Sequence, residues 1–498
     1  SFLAPQNPFD SDPSLRQNPL VSRPPSLPTA SVYTGRHRHR GLAAAAAELW
    51  SANPQPRSFS TRNHLFIKML AARNMRSVAR RMGSARGLHA SARQDMKVLV
   101  ALYDDPVTGY PPKYARDDIP EIKVYPDGQT TPTPQTELPF KPGQLLGCVS
   151  GELGLRKFLE DRGHELVVTS DKDGPDSEFE KHLEDADIVI SQPFWPAYMT
   201  AERIAKAKNL KACLTAGIGS DHVDLEAACK RNITVTEVTF CNSISVAEHV
   251  CMHILNLVRN FVPSYNIIKE GGWNIADAVS RSYDVEGMHL GTIASGRIGL
   301  AVLRRMAPFD CKLHYTDRHR LPESVEKELN LTYHANVEDM VKVCDIVTIN
   351  CPLHPETEHM MNDNLLSKFK RGAYLINTAR AKITDQPAIV RALESGQLAG
   401  YAGDVWFPQP PPRDHPWRNM PNHAMTPHIS GTSLSAQHRY AAGVIETLEC
   451  IFDNKPIRDE YLIAQNGKLA GVGAHSYSEG NATGGSDESV KFKQQGKK

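Results

Sequence analysis

Arg380, Gln409 and His428 follow one another downstream of a nucleotide-binding pattern, and their types narrow the chemistry they can do. Arg380 offers a planar, permanently charged fork suited to a carboxylate, and a charge-assisted pair of that kind contributes about 1.5 to 3 kcal/mol. An imidazole that serves as a base gains from a carboxylate partner, but residue 409 is an amide. The trio points to hydride transfer without proton transfer.

The nucleotide pattern is the stretch GTIASGRIGLAVLRRM, where a strand ends and a helix begins at Ala294, Gly296 and Gly299. This is G-x-G-x-x-G spacing with Ala at the first glycine. Small residues let the backbone approach a pyrophosphate, whose charge sits at the N-terminus of the helix running from about Arg297. Such a turn alone can be mere packing. Asp317 adds context: it ends the next strand, KLHYTD, where an acid can accept hydrogen bonds from a ribose diol. A carboxylate there repels a 2′-phosphate, so NAD is favoured over NADP, although Arg318, His319 and Arg320 leave room for some tolerance.

Three further loops follow strands of this unit: CPLHPETEH (351–359), NTARAK (377–382) and GDVWFPQP (403–410). Ligands of open α/β sheets bind at such carboxyl ends. The strands that must hold these loops read as HLGTIAS, KLHYTD, DIVTINCP, AYLINTAR and AGYAGDV, with helical patterns between them. An earlier series comprises KVLVALYDD, HELVVTS (164–170), ADIVISQ (186–192), LKACLTAG (210–217) and ITVTEV (233–238). Between the two, Val246, Val250, Ile254, Leu257 and Phe261 form one helical stripe of about four turns. A Pro- and Gly-rich stretch from Pro106 to Gly147 reads as a long arm. The expected fold class is α/β: two doubly wound Rossmann-like domains with parallel sheets and an active-site cleft between them.

Composition excludes several classes. The 498 residues are 23% charged and 40% hydrophobic with a net charge of +1, which describes two or three ordinary domains without a nucleic-acid footprint. No apolar run approaches the ~20 residues that span a bilayer. The nine cysteines form no C-x-x-C pair and read as reduced, mostly buried thiols, so no metal is expected. The sequon at Asn481 reads as a chance match and the lysine-rich end at 491–498 as a solvated tail.

Residues 1–95 form a basic leader. Up to residue 94 it carries Asp10, Asp12 and Glu48 as its only acids against fourteen Lys and Arg. Its last third can be drawn as a helix with Ala71, Met75, Val78 and Met82 on one face and Arg73, Arg76 and Arg80 opposite, the pattern of a transit peptide. Met69 is a candidate start, cleavage is expected near Ser91 or Arg93, and the mature chain would begin close to Met96. Mitochondrial import is the favoured reading, with plastid import as an alternative and a cytoplasmic protein if the leader is not translated. The bland alternative is a disordered basic arm.

The ordered motifs SQPFWPAY, TAGIGSDHVDL, CNSISVAEHV, ASGRIG, YTDRHR, NCPLHPETEH, NTAR, AGDVWFPQP and TPHISGTS together resemble NAD-dependent formate dehydrogenases. The long arm and the tail EYLIAQNGKLAGVGAHSYSEGNATGG resemble the bacterial type, within the wider D-2-hydroxy-acid dehydrogenase superfamily, and the likeness spans about 97–498. The resemblance implies a homodimer that takes NAD and formate. It implies a discontinuous substrate domain, 96–242 with 430–498, around an NAD-binding domain at 243–429. Carried onto matching positions, Arg380 and Asn242 hold the formate oxygens, His428 paired with Gln409 binds the substrate, and Ile218, Pro193 and Phe194 form an apolar wall. For the cofactor, Arg297 and Ile298 fall at the pyrophosphate turn with Ala294, Gly296 and Gly299, and Asp317 at the adenosine ribose. Ser243, Pro352, His354 and Thr357 fall on surrounding loops, and Thr378, Asp404, Ser430 and Gly431 beside the nicotinamide, with Asp404 accepting from its carboxamide.

These types suit the implied reaction, the oxidation of formate to carbon dioxide with NADH formation. Oxidising an alcohol releases a proton with the hydride, whereas formate has no such proton, so positioning and charge placement are what the site must provide. Two departures from the family pattern, Ala381 and Ser295, put cofactor affinity in question; a methyl at 381 matters only at positive φ. Two other classes stay open: a D-2-hydroxy-acid dehydrogenase of glyoxylate or hydroxypyruvate type, and an NAD-sensing, corepressor-like binding module.

Overall fold

The structure is a computed structural model that describes residues 95–104 and 145–470. The leader helix, most of the long arm, the sequon and the lysine-rich tail lie outside the described residues. Among the described residues, strands gather into two seven-stranded sheets.

The first sheet contains β1 (Lys97–Ala101), β2 (Glu165–Thr169), β3 (Ile188–Ser191), β4 (Ala212–Thr215) and β5 (Thr234–Glu237). The second contains β6 (His289–Ile293), β7 (Lys312–Thr316), β8 (Thr332–Tyr333), β9 (Ile346–Ile349), β10 (Ala373–Asn377), β11 (Leu398–Gly403) and β12 (His423–Met425). The chain then returns to the first sheet with β13 (Leu462–Gln465) and β14 (Lys468–Leu469). Strands such as IVIS and AYLIN are buried along their whole length, as parallel strands covered on both faces must be. The second sheet is parallel throughout in the order β12-β11-β10-β9-β6-β7-β8, with its switch point between β6 and β9. The first runs β14-β13-β5-β4-β3-β1-β2 and is parallel except at β13, which pairs antiparallel with β5, and at β14, which pairs antiparallel with β13. That edge was not read from the sequence.

Three helices, α1 (Ser243–Val258), α4 (Arg297–Met306) and α5 (Leu434–Phe452), position the site, and α2 (Phe261–Lys269) and α3 (Ile275–Val279) lie between the first two in sequence. α1 carries the chain away from β5, and its buried face of Val246, Ala247, Val250, Ile254 and Val258 packs with Leu290, Val302 and Ile346 of the second sheet's core. α5 brings it back, packing Ala436, Tyr440, Val444 and Leu448 against Val98, Val100 and Ile188. The two crossings, around 238–243 and 426–434, bring the carboxyl ends of both sheets to one cleft.

The single stripe expected to run on to Phe261 is broken. Asn260 turns left-handed at φ +50, α1 stops at Val258, and Phe261 opens α2 half-exposed. Asn is among the few residues that tolerate this region, which is why the break falls there. Ala381 lies in a short 3-10 turn without a positive φ, so its methyl causes no strain. Ala294 does sit at φ +69, in the tight turn after β6. Gly299 is required one turn later, since a Cβ there would lie 2.1 Å from the Ala294 carbonyl oxygen.

None of the nine cysteines forms a disulfide; five are buried and four half-buried, and burial raises the thiol pKa, to about 12 for Cys351. They are unreactive thiols in such settings. Among the described residues no cluster of His, Cys, Asp or Glu could hold a metal ion, and no helix is long and apolar enough to cross a membrane.

Several histidines are held neutral by burial. His253 on α1 is almost wholly buried, both ring nitrogens lack a partner, and burial lowers its pKa from 6.5 to about 3. His314, between His289 and His334 in a row of hydrogen-bonded rings, is lowered to about 4 by burial and by those two neighbours. The folded pKa lies below the unfolded one, so the unfolded chain binds more protons between these values. Stability is therefore full above pH 6.5 and is lost as pH falls toward about 3 to 4. His253→Leu is expected to flatten this acid branch in a melting-temperature series over pH; an unchanged slope would show that His253 does not take up a proton on unfolding.

Candidate active site

A cleft cavity of about 60 Å³ is lined by Pro193, Phe194, Ile218, Asn242, Ile298, Pro352, Thr378, Arg380, His428, Ser430 and Gly431. The space is small and walled on one side by the apolar Pro193, Phe194 and Ile218, so it suits a compact anion. A second cavity of about 540 Å³ shares Ile218, Ile298, Asn350, Cys351 and Pro352 with it and runs along the nucleotide turn. Ser243, Ala294, Gly296, Arg297, Asp317, His354 and Thr357 line that larger space.

Arg380 stands just beyond β10 at the mouth of the small cavity. Its Nε donates to Asp221 Oδ1 at 2.7 Å, Nη1 to the Ala379 carbonyl at 2.8 Å and Nη2 to the Ile218 carbonyl at 3.2 Å. Asp221 comes from the loop after β4, so the pair spans the cleft. Burial pushes the Asp221 carboxyl up, but the Arg380 charge and hydrogen bond outweigh it and hold the group below its ordinary value. Gly219 makes room for the fork: its φ is +106, and a Cβ would lie 1.6 Å from Arg380 Nη2. Glu237, buried at the end of β5, accepts from the Gly219 N–H at 2.8 Å and fixes that loop. Gly219, Asp221 and Glu237 were missed in the sequence, although TAGIGSD carries the glycine signal.

Gly219→Ala therefore has a large expected effect. The methyl displaces the guanidinium, and misplacement by about 1 Å can cost 10²-fold in turnover. Turnover of the carboxylate substrate should fall by roughly that factor while cofactor affinity stays near normal, as read by titration; equal losses in both would contradict this assignment.

His428 follows β12 and is buried. Gln409 Nε2 donates to the Pro193 carbonyl at 3.2 Å and the Phe194 carbonyl at 2.8 Å. Carbonyls only accept, so the amide nitrogen must face them and Oε1 must face His428 Nδ1, 2.8 Å away. Nδ1 consequently carries the proton, and Nε2 is left on the other edge of the ring. Burial lowers His428 to about 4, with Asp404 opposing and Arg380 reinforcing the shift. Phe194 meets the imidazole edge-on at 6.2 Å between centroids. Gln409 lines neither of these two cavities but a third, of about 80 Å³, that also touches Pro193, Asp221, Arg380 and His428.

His428 holds φ +57, an uncommon conformation for its type, and Asp404 supports it. Asp404 Oδ1 accepts from the Ile429 N–H at 2.8 Å and the Thr426 hydroxyl at 2.5 Å, and Oδ2 accepts from the Ser430 N–H at 2.7 Å. Asp404 is fully buried and lines neither cavity, so in this structure it braces the loop that follows His428. Gly299 is likewise beneath the turn and not at the cavity wall.

The residues present fit a dinucleotide. Gly296 caps α4, whose first N–H groups are available to a diphosphate. Asp317 is oriented by the Ser295 N–H at 2.6 Å and the His319 N–H at 3.1 Å, so Ser295 supports the acid and does not obstruct the turn. The buried Oδ1 atoms of Asn242 and Asn350 have no partner, polar groups left where a ligand enters.

Residues 251–430 match the NAD-binding domain of D-isomer-specific 2-hydroxyacid dehydrogenases. The formate dehydrogenase of Pseudomonas sp. (strain 101) is 73% identical over 397 residues, which are 80% of this chain and 99% of that protein. The chain belongs to the formate dehydrogenase family. The chloroplastic/mitochondrial formate dehydrogenase of Arabidopsis thaliana is 51% identical, over 67% of this chain and 87% of that one. A Granulicella formate dehydrogenase structure superposes with a TM-score of 0.69 at 69% identity, covering 76% of this chain and all of that one. The NAD complex of the Staphylococcus aureus formate dehydrogenase gives 0.62 at 39% identity, covering 74% and 99%. For a formate dehydrogenase the small cavity has the right scale, and an amide at 409 has its reason in two facing carbonyls.

Proposed function

We propose that this formate dehydrogenase site oxidises formate to carbon dioxide with NAD, and that Arg380, Asn242 and His428 hold the anion while Gln409 holds His428. NAD, when bound, supplies the ring carbon that accepts the hydride. The C–H bond of formate breaks with its electron pair, carbon dioxide is left, and no proton is released. Arg380 and the Asn242 amide fix the two oxygens, Ile218, Pro193 and Phe194 keep water from the carbon, and a protonated His428 Nε2 donates to the carboxylate, whose charge counteracts the burial that otherwise lowers the ring's basicity. When NAD is bound, Asp317 would accept from the adenosine ribose, Arg297 and Ile298 would meet the diphosphate, Ser243, Pro352, His354, Thr357, Thr378, Ser430 and Gly431 would flank the cofactor, and Asp404 would accept from the carboxamide through its remaining acceptor position.

The observation that carries this reading is Gln409, bound to His428 on one side and to two carbonyls on the other, beside the small cavity that Arg380 and Asn242 line. NADH formation with formate, compared with D-lactate and D-glycerate, tests it. Turnover of hydroxy acids alone would favour the superfamily reading, and NAD binding without turnover the corepressor-like one.

We further propose a substrate domain of 96–242 and 430–498 around an NAD domain of 243–429, assembled as a homodimer. Phe261, Tyr265, Ile268, Ile275 and Val279 expose an apolar face on α2 and α3, and Trp273 beside them is 80% exposed. So large a patch favours a second copy as its cover; light scattering should give a dimer that Trp273→Asp weakens. Mitochondrial import is proposed from the basic leader, a reading that the mitochondrial names of plant relatives such as the Solanum tuberosum enzyme support. Import into isolated mitochondria with sequencing of the processed terminus tests it, and an unprocessed product opposes it.

A further inference from the structure

Phe240 holds a backbone conformation that the catalytic reading does not use. Its φ is +76, and a bulky residue in that region is a genuine outlier that persists only where its surroundings over-determine it. It lies on the crossover between β5 and α1, two residues before Asn242. Its ring faces the Arg297 guanidinium, whose central carbon is 3.3 Å from the ring centroid, a stacked contact. Arg297 is the first residue of α4, directly behind the nucleotide turn. On the same crossover, the Cys241 carbonyl accepts from Arg439 Nε–H of α5, and Asn242 lines the small cavity.

We propose that Phe240 is a positioning residue for the cofactor's diphosphate: its ring is the shelf on which the Arg297 guanidinium lies flat beside the N-terminus of α4. This rests on the reading of Arg297 as a diphosphate ligand. An unstacked arginine side chain samples many rotamers, whereas stacking fixes the plane of the fork whose N–H edge suits phosphate oxygens. The left-handed backbone at Phe240 brings the ring under the guanidinium. Because the shelf and Asn242 share one short segment, the loop that fixes the diphosphate ligand also carries a substrate ligand.

The test is the NAD dissociation constant, measured calorimetrically without formate, for the full-length wild type and Phe240→Leu, Phe240→Tyr, Phe240→Gly, Arg297→Ala and the Phe240→Leu/Arg297→Ala double variant. Losing a cation–π shelf should weaken binding about tenfold in Phe240→Leu, with Phe240→Tyr near the wild type. In the Arg297→Ala background the same Leu substitution should add less than about twofold. Phe240→Gly relieves the strained backbone, so it should melt no lower than the Leu variant and still bind NAD weakly. Equal weakening by Leu in both backgrounds, or wild-type affinity in the Gly variant, would overturn the shelf. If Arg297→Ala alone leaves NAD affinity unchanged, the diphosphate reading fails and the shelf falls with it.

Discussion

Arg380→Ala is expected to lower kcat/KM for formate by about three orders of magnitude or more while NAD affinity changes by only a few-fold. Arg380 lines the small cavity and not the large one along the nucleotide turn, so the adenosine and diphosphate contacts lie away from it. The size follows from two losses that coincide. The substrate carboxylate loses its charge-assisted partner, and Asp221 is left across the mouth of the site with no cation 2.7 Å away. Truncating one member of a desolvated charge pair costs about 2 to 5 kcal/mol, much of it from the stranded partner. Adding Asp221→Ala to the variant should therefore recover part of the formate affinity. Near-normal turnover in Arg380→Ala would remove the residue from the mechanism.

Gln409→Glu should add a second titrating group to the site, beside His428, and with it a pH dependence the wild type does not have. The amide nitrogen now donates to the carbonyls of Pro193 and Phe194, and a carboxylate oxygen in its place would face both at 3.2 and 2.8 Å. A glutamate can keep those contacts only while protonated. Desolvation and the facing dipoles raise its pKa, and it ionises as pH rises. Below that titration the variant should bind formate almost as the wild type does. Above it, the new negative charge behind His428 opposes the incoming anion, and the formate KM should rise at least tenfold between about pH 6 and pH 9, with kcat changing less. A formate KM that follows the wild-type pH profile in this variant would mean that the two carbonyls do not dictate the amide.

Much of this site was legible before any coordinates because its chemistry sits at strand ends. Arg380 closes AYLINTAR and Asp317 ends KLHYTD, so strand periodicity brings these two to one rim, whereas the short strand before His428 was not read and His428 was placed by the family resemblance. The contacts that aim these groups were not legible. Asp221 reaches Arg380 across 159 positions and Gln409 reaches Phe194 across 215, and no local pattern encodes such pairs. Gly219 was visible as a glycine, but its need for φ +106 follows only from where the guanidinium lies. Asp404 was assigned to the nicotinamide by the family resemblance; that three of its acceptor positions are taken by Thr426, Ile429 and Ser430 is something spacing cannot reveal. The antiparallel edge at β13 and the break at Asn260 were missed for a related reason: both depend on what packs beside them and not on their own periodicity.

The most direct test of hydride transfer without proton transfer compares formate with deuterioformate at saturating NAD, in ordinary and in heavy water. The account predicts a clear primary isotope effect on kcat from the formate C–H bond and a solvent isotope effect near unity, because no proton is in flight. A large solvent effect with no primary effect, or NADH formation only from D-hydroxy acids, would contradict it.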